Sequence, residues 1–284
     1  MSSERTWVDS SIRLPEWLGL CLRDEPRDAD HLARLCETAI AAAIGPAAGV
    51  AVALEGVSGT PREGLNVANA VIEVAKWRLA KIPSAALVSS LSSRATGEES
   101  AAPACRFDHI EVRFHGAQIE HLRCETIVIA AEAVVGRLSG EGQVRNLELE
   151  SAGDLWVRAE VRANDARDAL VAQSPFIVDG SLRFLPGGGM VADGRVRLGI
   201  IPLSARLEGK LTVCQSQDLL FSGVSAKVGG RPLPQTAVNA KLREINPVFS
   251  VRPLHAAGLP VELLPPEVDG SVMRLHCRAI RNGS

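Results

Sequence analysis

The stretch Asn246-Pro247-Val248-Phe249-Ser250-Val251-Arg252-Pro253-Leu254, continuing through Leu259-Pro260-Val261-Glu262-Leu263 to Asp269-Gly270-Ser271-Val272-Met273-Arg274-Leu275, decides how this chain folds. Proline has no amide hydrogen and disfavours the α conformation in the residue before it, so the Asn246-Pro247 step belongs to neither a helix nor a central strand. It is a corner. A helical segment, Pro234 to Glu244, precedes it. Two short apolar segments follow, and Asp269-Gly270 is a turn signal leading into a final strand.

Upstream of the corner the chain alternates with period two. Ile110, Val112 and Phe114 alternate with Glu111 and Arg113, and Leu155, Val157, Ala159 and Val161 alternate with Trp156, Arg158, Glu160 and Arg162. One polar and one apolar face per strand means an antiparallel sheet covered on one side. Leu147 and Leu149 follow the same rule, while Ile127-Val128-Ile129, apolar on both faces, reads as a central strand. Further strands are expected at Ser181–Leu185, Gly194–Ile200, Leu203–Val213 and Leu219–Val228, with a hairpin tip at Gly187-Gly188-Gly189. The Leu203–Val213 strand spans about 35 Å at the usual rise and needs cover along its whole apolar face. Helices are expected at Asp30–Ile44, capped by Asp28 or Asp30, and after Asn164; Val50–Leu54 is extended.

This order of elements resembles the closing part of the LmeA-like phospholipid-binding family, a group of bacterial cell-envelope domains. The resemblance covers roughly the last 130 residues and the remainder in outline. It implies an α+β fold in which a long curved antiparallel sheet wraps around one or more helices, a tubular lipid-binding-like architecture with an apolar groove. It also implies that residues 65–80, whose apolar residues fit both a helical stripe and a strand, form a strand, followed by a short helix at Pro83–Leu91 and a loop over Ser92–Pro103. The expected organisation is an N-terminal extension, residues 1–28, and one domain, residues 29–284.

Composition narrows the function. The chain is 46% hydrophobic but 4% aromatic, without tyrosine, so its apolar surfaces are aliphatic and suit acyl chains better than stacked bases. Lys and Arg number 31 against 33 acidic residues, with no basic block, and nucleic acid is not an expected partner. Six scattered cysteines without a Cys-x-x-Cys pair read as free thiols. Neither an export signal nor an apolar run of about 18 residues is legible, which gives a cytoplasmic expectation, peripheral at the inner membrane.

No catalytic set stands out, and neither enzyme activity, a metal nor a cofactor is expected. Pro186-Gly187-Gly188-Gly189 lacks the Lys-Ser/Thr of a phosphate loop, and Gly56-Val57-Ser58-Gly59 misses nucleophile-elbow spacing. His109, His115 and His121 recur near Cys105 and Cys124 without zinc spacing, with a turn expected at Gly116–Gln118. The expected function is non-catalytic binding or carriage of phospholipid or another acyl lipid, each buried CH₂ contributing about 0.8 kcal/mol. Candidate lipid contacts are Leu203, Leu207, Leu211, Val224, Val248 and Phe249. Trp7, Trp17 and Leu18 are candidate membrane contacts, with residues 5–28 touching a membrane or covering the groove mouth, against the alternative of a strap on the body. The rival reading is a protein-interaction module with a dry core.

Overall fold

Period-two alternation becomes two β-sheets in the computed structural model, which describes residues 12–14, 20–44, 49–60, 63–79, 104–119, 121–139, 145–173, 177–198, 201–256 and 258–280. The chain is mostly strand with few helices, and its larger sheet is a curled antiparallel half-barrel. After two short strands at Ile12–Arg13 and Leu20–Leu22 come helix α1 (Ala29–Ile44), then β1 (Gly49–Glu55), β2 (Gly64–Ala75), β3 (Ala104–Ile119), β4 (Leu122–Ser139), β5 (Arg145–Ala152) and β6 (Asp154–Arg162). Helix α2 (Ala163–Gln173) leads to the smaller sheet, a meander of β7 (Ile177–Leu185), β8 (Gly189–Leu198), β9 (Ile201–Cys214) and β10 (Asp218–Val228). Helices α3 (Gln235–Ile245) and α4 (Arg252–Ala256) carry the chain back to the larger sheet, where β11 (Val261–Leu263) and β12 (Val272–Ala279) finish it. The larger sheet runs β11-β12-β6-β4-β3-β2-β1.

The half-barrel is built on one long hairpin. β5 and β6 are successive lengths of a single strand antiparallel to β4, pairing Ser151 with Val135 and Asp154 with Glu132. Between them Gly153 donates its N–H to the Glu132 carbonyl at 2.8 Å, opposite Ala133 at φ 49°. A Cβ on Gly153 would stand 3.2 Å from that of Ala133, so a residue without a side chain sits at the bend. β2 is a strand, as the resemblance implied, but it lies parallel to β3, from Leu65 beside Cys105 to Ala75 beside His115. A parallel pair needs a crossover of about a dozen residues or more, and residues 76–103 supply the length.

The apolar face changes sides along these strands. Cys105 and Phe107 point one way in β3, and Ile110, Val112 and Phe114 point the other. Helix α1 covers the first end, burying Leu32 and Cys36. Asp28 caps it by accepting the His31 N–H at 2.7 Å. Glu37 accepts the Val52 N–H at 2.9 Å, so the helix also blocks the open edge of β1.

The described part of the N-terminal extension completes this core as a strap on the body, the alternative to membrane contact or cover of the groove mouth. Ile12 and Arg13 pair with Ala152 and Ser151, and Leu20–Leu22 pairs with Leu147–Arg145. Ile12, Leu14 and Leu22 are buried, because the outer edge of β5 requires hydrogen-bond partners and the apolar face beneath α1 requires cover. Trp7, Trp17, Leu18, the helix expected at Pro83–Leu91 and the loop expected at Ser92–Pro103 lie outside the described residues. Asn164, expected to cap α2 from outside, sits in its first turn, and the Ala163 N–H donates to the Ser271 carbonyl at 2.8 Å.

At the corner α3 stops, as proline demands, and the Asn246-Pro247 peptide is cis. The Asn246 side-chain amide pairs with the Phe221 backbone in both directions: Oδ1 accepts its N–H at 2.9 Å and Nδ2 donates to its carbonyl at 3.0 Å. The ladder continues through Val248 to Leu219, Val251 to Gln217 and Leu263 to Ser216. Asp218, 8% exposed, accepts hydrogen bonds from Ser250 Oγ at 2.7 Å and from Arg252 Nε and Nη2 at 3.0 and 2.7 Å. One continuous apolar core joins both sheets.

Asn246→Ala leaves the Phe221 backbone unpaired and is expected to destabilise the fold by about 1–3 kcal/mol, read from denaturant midpoints; an unchanged midpoint means that the corner is held elsewhere. The Arg252 guanidinium holds the Asp218 carboxyl below its usual range, with a smaller contribution from Ser250, against the opposing effect of desolvation. A depressed folded-state pKa contributes stability that is complete above the unfolded value of about 3.9 and is lost as pH falls through the lower folded value. Asp218→Asn should therefore lower Tm at neutral pH and flatten its decline below about pH 4, and identical acid limbs in the two proteins would contradict this.

Candidate functional site

A groove lies between α2 and the apolar face of the smaller sheet. Its roof is Arg167, Leu170 and Val171; its walls are Ile177, Leu182, Val196 and Leu207; its floor is Gly180, Ala192, Gly194 and Ala205. The floor exists because Gly180 and Gly194 face each other across β7 and β8. A Cβ on Gly194 would lie 2.3 Å from the Asp179 carbonyl oxygen, so the backbone itself forms the surface there. The enclosed space is about 50 Å³, room for a few water molecules. On the other side of the sheet, next to these glycines in register, the Arg195 guanidinium pairs with Asp179 and holds its carboxyl below the usual range.

The candidate lipid contacts divide. Leu207 lines the groove, and Leu203 stands half-buried further along the same face of β9. Leu211 and Val224 are core residues, 3% and 2% exposed. Phe249 is half-buried opposite Leu219, and Val248 is exposed. Reading the sequence alone missed Leu170, Val171, Ile177 and the two glycines. A signal for the floor was present as the repeat Asp179-Gly180 and Asp193-Gly194, but Asp-Gly ordinarily marks a turn.

The polar face of the larger sheet gathers Glu73, His109, Glu111, Arg113 and His115. Arg113 bridges Glu73 and Glu111, His109 lies 3.4 Å from Glu111, and His115 meets Glu73. The hydrogen bond from Arg113 is the main cause of the lowered Glu111 pKa. The turn expected at Gly116–Gln118 is instead ladder: Gly116 takes φ 63°, but His115 pairs with Thr126 and Ala117 with Cys124, and the chain turns at His121. Among the described residues no group of three or more His, Cys, Asp or Glu side chains is arranged to hold a metal. Nor is any helix among them long and apolar enough to cross a membrane.

Six cysteines are free. Burial pushes the thiol of Cys36 up to about 12 and those of Cys124 and Cys277 up to about 11. A scan against family models and searches of curated proteins and solved structures found no match to this chain.

The thiols give a prediction. At neutral pH a thiol reagent should modify only the exposed Cys21 and Cys214 quickly, and all six cysteines after denaturation. Fast labelling of four or more in the native protein would contradict the packing of α1 and β12.

Proposed function

We propose that this chain is an LmeA-like, tubular lipid-binding-type protein that binds or carries phospholipid without catalysis, from a cytoplasmic position peripheral to the inner membrane. The supporting observation is the graded burial of one apolar face of β9. Leu211 is buried, while Leu207, Ala205 and Leu203 are only half-buried as the strand runs out past the groove floor. The enclosed space is too small for an acyl chain, so the reading rests on this open aliphatic strip, along which a chain lies with one side uncovered. Affinity for methylene groups requires no particular polar residue, in keeping with the all-apolar walls.

A second reading, a protein-interaction module with a dry core, is favoured by the small enclosed volume and the continuity of the core. Mass spectrometry of organic extracts from purified protein separates the two. Acyl lipid should be recovered from wild type and fall several-fold in Ala205→Leu, which fills the groove floor while shifting Tm by only a few degrees. Lipid-free extracts from wild type sink the proposal and leave the module.

A further inference from the structure

The face of the smaller sheet turned away from the groove carries a charge that the rest of the chain does not. Strand alternation and register put Arg183, Arg195, Arg197, Arg206, Lys210 and Lys227 on this face, all exposed, against the acids Asp179, Asp193 and Glu208. The whole chain has 31 basic and 33 acidic residues. The acids pair with Arg183, Arg195 and Arg206, and among the described residues no carboxylate pairs with Arg197, Lys210 or Lys227. Arg206 and Lys227 stand directly opposite each other, an arrangement that repels and does nothing for the fold.

We infer that this basic face docks the protein on an anionic phospholipid bilayer. Nucleic acid fits poorly, because the aromatic rings of these strands, Phe184 and Phe221, are buried on the opposite face. A protein partner calls for a pocketed surface with aromatic anchors, and the face offers neither. A bilayer needs only a flat array of cations with some apolar insertion, and Leu185, 38% exposed, lies on this face at the hairpin end. The inference rests on the peripheral-membrane part of the proposed function and adds which surface docks and which lipid charge it requires.

The test is cosedimentation with vesicles of phosphatidylcholine alone or with about a third phosphatidylserine, as ionic strength rises from about 0.01 M to about 0.15 M. Wild type should bind the anionic vesicles, release them as salt rises, and ignore neutral ones. Each basic residue near such a surface contributes about fivefold, so the triple variant R197Q/K210Q/K227Q should lose about a hundredfold in affinity. Its Tm should hold or rise, since the Arg206–Lys227 repulsion is relieved. Equal binding by variant and wild type, equal binding to neutral vesicles, or binding to polyglutamate or RNA in place of vesicles overturns the inference. Lipid content by extraction is read in parallel. Retained lipid without vesicle docking defeats only the docking face, and absent lipid with salt-sensitive docking defeats only the carrier reading.

Discussion

The two-way pairing of the Asn246 side-chain amide with the Phe221 backbone is the contact on which the joining of the two sheets depends. Proline at 247 cannot donate to a ladder, so the chain leaving α3 would meet β10 with a gap in its hydrogen bonding. An asparagine side chain has the donor and acceptor spacing of a peptide group and fills that gap. From there the backbone of Val248, Val251 and Leu263 follows β10 and its turn, and the chain reaches β12 in register. The Asp218–Arg252 pair clasps the same corner from the turn side.

Glycine placement decides how each sheet bends and what it leaves open. Gly153 lets the long β5–β6 strand fold past Ala133, curling the half-barrel over its core. The facing Gly180 and Gly194 remove two side chains from a sheet surface roofed by Leu170 and Val171. A sheet surface otherwise packs to near-crystalline density against a helix, so the groove exists where side-chain volume was withheld.

Electrostatics separates the faces further. On the larger sheet the charged row of Glu73, Glu111 and Arg113 is internally paired, whereas on the outer face of the smaller sheet no carboxylate among the described residues pairs with Arg197, Lys210 or Lys227, beside a like-charge contact. Paired charges on an exposed sheet are neutral to stability, while unpaired ones of a single sign mark a surface shaped by something outside the fold.

By itself the sequence determined the local elements. The Asp28-capped helix, the alternating strands of both sheets, the break at Pro247 and the Asp269-Gly270 turn each follow from periodicity or backbone sterics within a few residues. Only the tertiary structure decided which elements are neighbours: β2 parallel to β3, Ile12–Arg13 and Leu20–Leu22 sealing β5, Asn246 finding Phe221, and Gly180 meeting Gly194. Leu203, Leu207, Leu211 and Val224 read alike along the chain, yet burial ranks them differently because α2 and the core reach only part of that face. Period two records which side of a strand is apolar, but strand partners are chosen by hydrogen-bond ladders between distant segments, and those leave no local pattern to read.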